Sequence, residues 1–546
     1  MTPERLKAAI ASPGDPATGL IRFAWPALAG VLTAFLTVIA FPPFNVAEAA
    51  YVFAVPALLW LWRGPSFRQV LLVLSLSHFA VWLILIYWLR HVTYPGFVFL
   101  AAVLGLYATV WYLAAWWALP KLREREWRHR VIVLTGLAGL WVVLEWIRSF
   151  FLSGFPWLTL AASQWERPLL LQVSAWTGAY GLSFVFIFFN LALSSYFDRI
   201  MRFYRQGWRR LAPEFYLALA LLMAVGFGFY RISIAHGQER ESMFRAGIVH
   251  PDIPQDIKWD REYADKILGV LERETRLLAG LGPDLVVWPE AVTPFPLVGG
   301  PYIGPWIRDL AADLDAPLLI GSMADASGSG AGEPVWRNAA FVVDPNEGIR
   351  PDYYSKRKLV PFGEYIPLHS LWPWMSRIVP IGGNIAPGES DAPLVIRAGG
   401  NDWAAGVLIC YEDVFPGLAR RTVREGADFL AVISNNAWYG KEGMPSQHAA
   451  HSVLRAVETR RPVIRSTNQG WSGWIDEYGN PREVMRDRDG SLFFRGGKVS
   501  ELHRDPYWAG RPSFYVRYGD WFVAVSGLFL LLAFARQRLT RDDKQS

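Results

Sequence analysis

Eight apolar runs, at residues 24–41, 50–62, 70–89, 97–119, 131–146, 180–196, 215–230 and 521–535, constrain this chain more than any other feature. A helix of roughly 20 apolar residues crosses a hydrocarbon core of about 30 Å, and inside lipid the backbone must satisfy its own hydrogen bonds. The composition agrees: 52% of residues are hydrophobic, Trp numbers 27 and the mean hydropathy is +0.19, all high for a soluble domain. The expectation is a multi-span α-helical membrane domain of about eight transmembrane helices. The first run has a rival reading as a cleaved signal peptide, since small residues follow at Ala47, Ala49 and Ala50. Its length, however, exceeds the apolar core of about 7–15 residues found in such peptides.

Charge supports spans over a nucleic-acid surface. The net charge is +6, yet the basic residues gather between apolar runs rather than on one globular face. Cytoplasmic loops carry an excess of Lys and Arg, and here alternate connections are basic. They hold Arg63 and Arg68, then Lys121 to Arg130, then Arg199 to Arg210, and finally Arg536 to Lys544. The intervening connections hold few: Arg90 in one, Arg148 and Arg167 in another. This pattern predicts that both termini are cytoplasmic and that the one long remaining segment lies outside the cytoplasm. The division reads 1–232 transmembrane with about seven spans, 233–519 globular, and 520–546 the last span with its tail.

Near the fifth run, Glu145 and Arg148 stand three apart, a spacing that lets one helical face pair them, for function or as a plain structural pair. Gly154-Phe155-Pro156-Trp157 and Ser163-Gln164 read as an interfacial, Trp-rich loop, or as lipid-facing decoration.

From about residue 243 the pattern changes to short β-branched runs at 244–249, 284–288, 317–320, 339–343, 404–409, 429–433 and 462–465. Amphipathic stretches at 260–278 and 447–461 lie between them, which predicts a layered α/β domain. The Gly/Ser/Ala stretch 326–332 reads as a surface loop. No Gly-rich phosphate loop precedes a helix, so no nucleotide cofactor is expected.

Cys410 is the only cysteine, so an internal disulfide and a cysteine-based metal framework are excluded. It closes the apolar run 404–409, where a strand end can present a nucleophile. A free cysteine is most often a small buried hydrophobe, and becomes a nucleophile at neutral pH only with a base or a positive charge beside it. Glu290, at the end of another apolar run, is the candidate base; Lys356 is the candidate cation and oxyanion donor. Spacing alone does not choose between Lys356 and Lys358. His448 and His451 lie three apart on a predicted helix, but no nearby carboxylate or cysteine completes a usual ligand set, so no metal is expected and they line or cap the helix.

Trp288-Pro289-Glu290, then Lys356 within Tyr354-Ser355-Lys356-Arg357-Lys358-Leu359-Val360-Pro361-Phe362-Gly363-Glu364, then Cys410-Tyr411-Glu412, resemble the Glu-Lys-Cys signature of the nitrilase, or carbon-nitrogen hydrolase, superfamily. Such a domain inserted before the last span resembles the apolipoprotein N-acyltransferase family within it. Gly154-Phe155-Pro156-Trp157-Leu158, Ile253-Pro254-Gln255 with Lys258-Trp259, and Gln447-His448 with Arg455-Ala456-Val457-Glu458 extend the match. The resemblance implies an αββα sandwich on the extracytoplasmic face of a bacterial inner membrane. It further implies that Glu290 is the general base, Lys356 the oxyanion holder and Cys410 the acyl carrier. Glu364 would orient the lysine or assist proton movement, Tyr411 and Glu412 would shape the site, and Trp259 falls at a functionally important tryptophan. Asn436 departs from the family's pattern, where aspartate is expected.

The implied donor is a membrane phospholipid and the implied acceptor a diacylglyceryl apolipoprotein, with no cofactor and a monomer sufficing. Apolar stretches at 294–306 and 368–385, the latter with Trp372, Trp374, Met375 and Ile378, are expected to form membrane-touching lids or an acyl groove, or else to pack on the domain's own core. A membrane-tethered amidase with the same three residues, and a non-catalytic lipid-binding sensor, are the alternative readings.

Overall fold

The computed structural model describes residues 16–203, 212–236, 240–299, 303–327, 334–366 and 385–542. The chain forms two compact units, one of residues 1–148, 180–227 and 521–546, the other of residues 149–179 and 228–520. The sequence division at 232 and 519 differs from this by a few residues at each boundary and in one segment: Ser149–Ala179, expected within the transmembrane part, is in the second unit.

Among the described residues of the first unit, five helices are long and apolar enough to cross a membrane: Phe67–Leu85, Tyr94–Leu122, Trp127–Arg148, Ala179–Arg202 and Trp521–Arg538. Ala24–Ile39, Ala47–Leu61 and Pro213–Gly228 are shorter apolar helical stretches. The run at 50–62 does not form one helix. A 3₁₀ turn, Ala47–Tyr51, gives way to the seven-residue helix Val55–Leu61, only about 10 Å long. Pro56 starts that helix, since proline suits a first turn and breaks an interior.

Small residues bring the last helix against Trp127–Arg148. A Cβ added to Gly136 would stand 2.2 Å from Ala533 Cβ, and one added to Gly139 would stand 2.4 Å from the Ser526 carbonyl, the close approach that small residues permit between spans. The buried charges of Arg130 and Glu214 are paired. Arg130 forks onto Glu214 at 2.7 and 3.1 Å, and Ser195 donates to the same carboxylate at 2.6 Å. Glu145 and Arg148 are both buried, and the Arg148 guanidinium lies 5.3 Å from the Trp82 ring centre.

The second unit holds two six-stranded sheets. Their strands are β1 Glu241–His250, β2 Leu285–Val287, β3 Leu318–Asp325, β4 Trp336–Asp344, β5 Gly348–Ser355, β6 Leu394–Ala398, β7 Asn401–Ile409, β8 Phe429–Ser434, β9 Val463–Thr467, β10 Gly473–Ile475, β11 Pro481–Val484 and β12 Gly496–Arg504. The orders are β12-β1-β2-β3-β4-β5 and β11-β10-β9-β8-β7-β6. Within them β1, β2 and β3 run parallel, as do β7, β8 and β9.

Side chains alternate across a strand, and the alternation builds the layers. Leu285 and Val287 share a core with Val407, Ile409, Ala431 and Ile433 of the other sheet. Val286, between them, instead meets Leu271 and Leu278 of the helix Ala264–Ala279 and Leu310 of Gly304–Leu314. Helices Pro416–Arg424 and Met444–Thr459 lie against β7 and β9. The layering is therefore helix, sheet, sheet, helix. All seven runs read as strands are strands. Those without a run include the edge strands β5, β6, β11 and β12, where polar side chains face water and no apolar run is needed.

Ser149–Ala179 is bound to this unit by long-range hydrogen bonds. Trp157 Nε1 donates to Gln447 at 2.8 Å, the Leu158 amide donates to His451 Nε2 at 3.2 Å, and the Ala179 amide to Glu458 at 2.9 Å. Trp157, Ser163 and Gln164 are all buried, so the expectation of an interfacial or lipid-facing loop at 154–164 is corrected. These residues are packing partners of the α/β unit; the exposed apolar side chains lie just before them, at Phe150, Phe151 and Leu152.

Candidate active site

In an open parallel sheet, ligands meet the carboxyl ends of the strands, and the predicted chemistry gathers there. Glu290 follows β2 by three residues, and Cys410 follows β7 directly. Ile409 pairs with Ile433 of β8, which sets Cys410 beside Ser434. Cys410 has φ +52°, left-handed backbone that a non-glycine residue holds only when its surroundings enforce it. Two contacts enforce it: Glu412 Oε2 accepts the Ile409 amide at 2.8 Å, and His448 Nε2 lies 3.1 Å from the Cys410 carbonyl.

Glu290 is buried and fully bonded. Its Oε1 accepts from Lys356 Nζ at 3.0 Å and Asn338 Nδ2 at 2.8 Å, and its Oε2 accepts the Asn435 amide at 2.9 Å. Lys356 Nζ also donates to Glu364 Oε1 at 2.9 Å, and Glu364 Oε2 accepts the Val360 amide at 2.8 Å. Lys356, not Lys358, is thus the cation between the carboxylates. Lys358 gives its backbone amide to Glu412 at 3.0 Å, and its ammonium lies 4.9 Å from the Phe415 ring centre.

The electrostatics follow. Burial pushes the Cys410 thiol up to about 12, the Glu290 charge adds to that, and Lys356 with hydrogen bonds from Ser434 and the Asn435 amide opposes it. The resting sulfur keeps its proton. Burial also raises the Glu290 carboxyl, but Lys356, Lys258 and the Asn338 hydrogen bond outweigh it and hold Glu290 below the usual carboxylate value. Lys356 would be lowered by burial, yet Glu290 and Glu364 hold it well above its ordinary value.

Glu412 acts on the frame rather than the sulfur. It accepts the Arg357 amide at 2.6 Å, the Lys358 amide at 3.0 Å and the Tyr354 hydroxyl at 2.6 Å, tying the turn that carries Cys410 to the loop that carries Lys356. Tyr411 points elsewhere, donating its hydroxyl to the Gly154 carbonyl at 2.9 Å. Trp259 is half exposed, and the Lys258 ammonium lies 5.4 Å from its ring centre. His448 and His451 hold hydrogen bonds within the protein. His448 Nε2 faces Asp413 Oδ1 at 2.7 Å besides the Cys410 carbonyl, so that nitrogen carries a proton. His448 Nδ1 stands 3.3 Å from the Asn436 amide, which can offer oxygen to an imidazolium or, turned over, nitrogen to a neutral ring. An aspartate at 436 would offer only oxygen.

Trp372, Trp374, Met375 and Ile378 lie outside the described residues. In the other apolar stretch, Leu297 and Ile303 are buried, and Phe295, Val298 and Trp306 pack on the same core. The described part of 294–306 therefore packs on the domain itself and forms no exposed lid.

Sequence reading missed Lys258, Asn338, Ser434 and Asn435. Asn338 is a buried polar residue directly before the apolar run 339–343, and Ser434-Asn435 stand where β8 ends beside Cys410, so strand-end position was an available signal. Lys258 stood in the matched stretch beside Trp259, but no role was drawn for it.

Comparison with known proteins adds the lineage. Residues 33–192 match the apolipoprotein N-acyltransferase N-terminal domain, and residues 253–497 match carbon-nitrogen hydrolase. A Geobacter metallireducens protein named apolipoprotein N-acyltransferase is 32% identical, covering 94% of this chain and 96% of its own length. The chain belongs to the apolipoprotein N-acyltransferase family. A Brucella suis relative of the same name is 31% identical over 93% of this chain and 94% of its own. A solved amidase from Nesterenkonia sp. AN1, 17% identical, covers 52% of this chain and 96% of its own with a TM-score of 0.34, too low to transfer any residue or activity. In this chain the apolar helices and the carbon-nitrogen hydrolase domain occur in one polypeptide.

Proposed function

We propose that this protein moves a fatty acyl chain from a membrane phospholipid, through a thioester on Cys410, to the amino group of the lipid-modified N-terminal cysteine of an apolipoprotein. The observation that carries the reading is family membership along nearly the whole chain, joined to a single cysteine set among Glu290, Lys356 and Glu364.

In the first half-reaction Glu290 takes the thiol proton as sulfur attacks the ester carbonyl. Lys356 has three ammonium hydrogens; two go to carboxylates, and the third serves the oxyanion. Collapse breaks the ester C–O bond, and Glu290 returns the proton to the departing lysophospholipid. In the second half an amine attacks the thioester, Glu290 takes its proton, and collapse expels the thiolate, which regains that proton. Free α-amines titrate near 8, so a neutral fraction is present at pH 7. Burial of Glu290, Lys356 and Cys410 disfavours water as acceptor. The charge pattern of the loops supports a catalytic unit outside the cytoplasm of a bacterial cell, with both termini inside.

Incubation of the purified protein with phospholipid tests this. The expected result is an acyl-sized mass increase on Cys410 that disappears when a lipopeptide amine is added, and no increase for Cys410→Ala. Consumption of small amides with no lipid adduct would replace the proposal with an amidase.

A further inference from the structure

Lys258 is buried beside the site, and its Nζ donates to the Glu290 backbone carbonyl at 3.2 Å. The segment that carries it is tied to the same hub: Gln255 Oε1 accepts from Asn435 Nδ2 at 2.8 Å, and the Ile253 amide donates to Asn468 at 2.9 Å. A buried cation is costly unless opposite charge faces it. Here Glu290 and Cys410 face it, with Lys356 as a like charge. Tyr439 also faces this cluster, Glu364 accepts from Lys356, and the Arg465 charge acts on Cys410.

We propose that Lys258 is a positioning residue whose ammonium, hung from the Glu290 carbonyl, balances the second carboxylate of the site and so eases the transfer of the Cys410 proton to Glu290. The charge count gives the reason. When the thiol proton moves to Glu290, the thiolate and the Glu364 carboxylate remain as anions. With Lys258 they face two ammonium groups; without it they face only Lys356. The inference rests on Cys410 being the acyl carrier, but thiol reactivity is readable without any lipid.

Burial pulls Lys258 down to about 8, with Glu290 and Cys410 opposing that fall. Its charge is therefore present below about pH 8 and fades above, which gives the test a distinctive shape. The rate of Cys410 alkylation by iodoacetamide is followed by intact mass from about pH 6 to 10 in wild type, Lys258→Met and Lys258→Arg. Losing one nearby buried charge predicts about tenfold slower alkylation of Lys258→Met at pH 7, a gap that closes above about pH 9, and a rate restored by Lys258→Arg. A smaller thiol reagent, methyl methanethiosulfonate, reads the same rates should iodoacetamide be excluded, because the chain has one cysteine. An unchanged Lys258→Met rate at pH 7, a deficit equal at every pH, or an arginine variant as slow as the methionine one overturns the inference. Normal alkylation in wild type with no acyl adduct from phospholipid would instead remove the proposed function and leave the role of Lys258 standing.

Discussion

The Tyr411 hydroxyl reaches across 257 positions to donate to the Gly154 carbonyl at 2.9 Å. The residue that follows Cys410 therefore fastens the Ser149–Ala179 segment. Its ring meets Phe415 edge-on at 4.9 Å and lies 6.1 Å from Phe155, so hydroxyl and ring do separate jobs.

Tyr411→Phe separates those jobs. It keeps the ring and removes one neutral hydrogen bond, for a stability loss of about 1 kcal/mol. Acyl transfer is expected to fall by roughly tenfold, more than that stability loss explains, because the turn carrying Cys410 loses its tether to Gly154. Thermal melting and the rate of acyl-adduct formation check the two effects; an unchanged rate would show the tether to be irrelevant to catalysis.

Glu412→Gln is expected to do broader damage. The two Glu412 oxygens accept from Arg357, Lys358, Ile409 and Tyr354, and an amide nitrogen in place of one oxygen sets donors against donors. Each buried unsatisfied group costs about 1–3 kcal/mol, so the melting temperature should drop together with activity. A variant with wild-type stability and only reduced turnover would assign Glu412 to chemistry instead.

Away from the site, Glu477 is pushed up to about 7 by burial, with Asp476 adding to the rise and Arg240 opposing it. A carboxyl whose folded value lies above its ordinary 4.5 favours the folded state most below that value, and the benefit is lost as pH rises through 7. Glu477→Gln should therefore match wild type near pH 4. Above pH 7 it should exceed wild type, by a margin on the order of 3 kcal/mol. Melting curves at several pH values check this; a gap that does not grow with pH would contradict it.

The parallel strands and their ends were legible because central strands are buried on both faces and read as apolar runs. Glu290 and Cys410 stood out at the ends of such runs, and the structure sets Glu290 beside Lys356. Edge strands β5 and β12 carry Arg, Asp, Lys and Glu, so periodicity passed over them. Trp157 read as an interface residue because composition cannot distinguish an aromatic side chain facing lipid from one buried by a long-range contact such as that with Gln447. The place of Lys258 was illegible for a related reason, although the residue lay in a matched stretch: a lysine ordinarily marks a solvated loop, and only the fold sets it against the Glu290 carbonyl.

Glu290→Gln gives the sharpest test of the proposed proton path. Glutamine keeps the shape and one acceptor for Lys356 and Asn338, but it cannot take the thiol proton, and removing the negative charge takes away a group that raises the Cys410 thiol. The two effects oppose each other. Alkylation by a reagent that needs only thiolate should become easier as the thiol is lowered, whereas acyl transfer, which needs the proton carried away and returned, should fall by about 10²–10⁴. Measuring both rates on the same sample separates base from bystander. Parallel losses in the two rates would mean that Glu290 only holds Lys356 and Asn435 in place, and another group would then have to carry the proton.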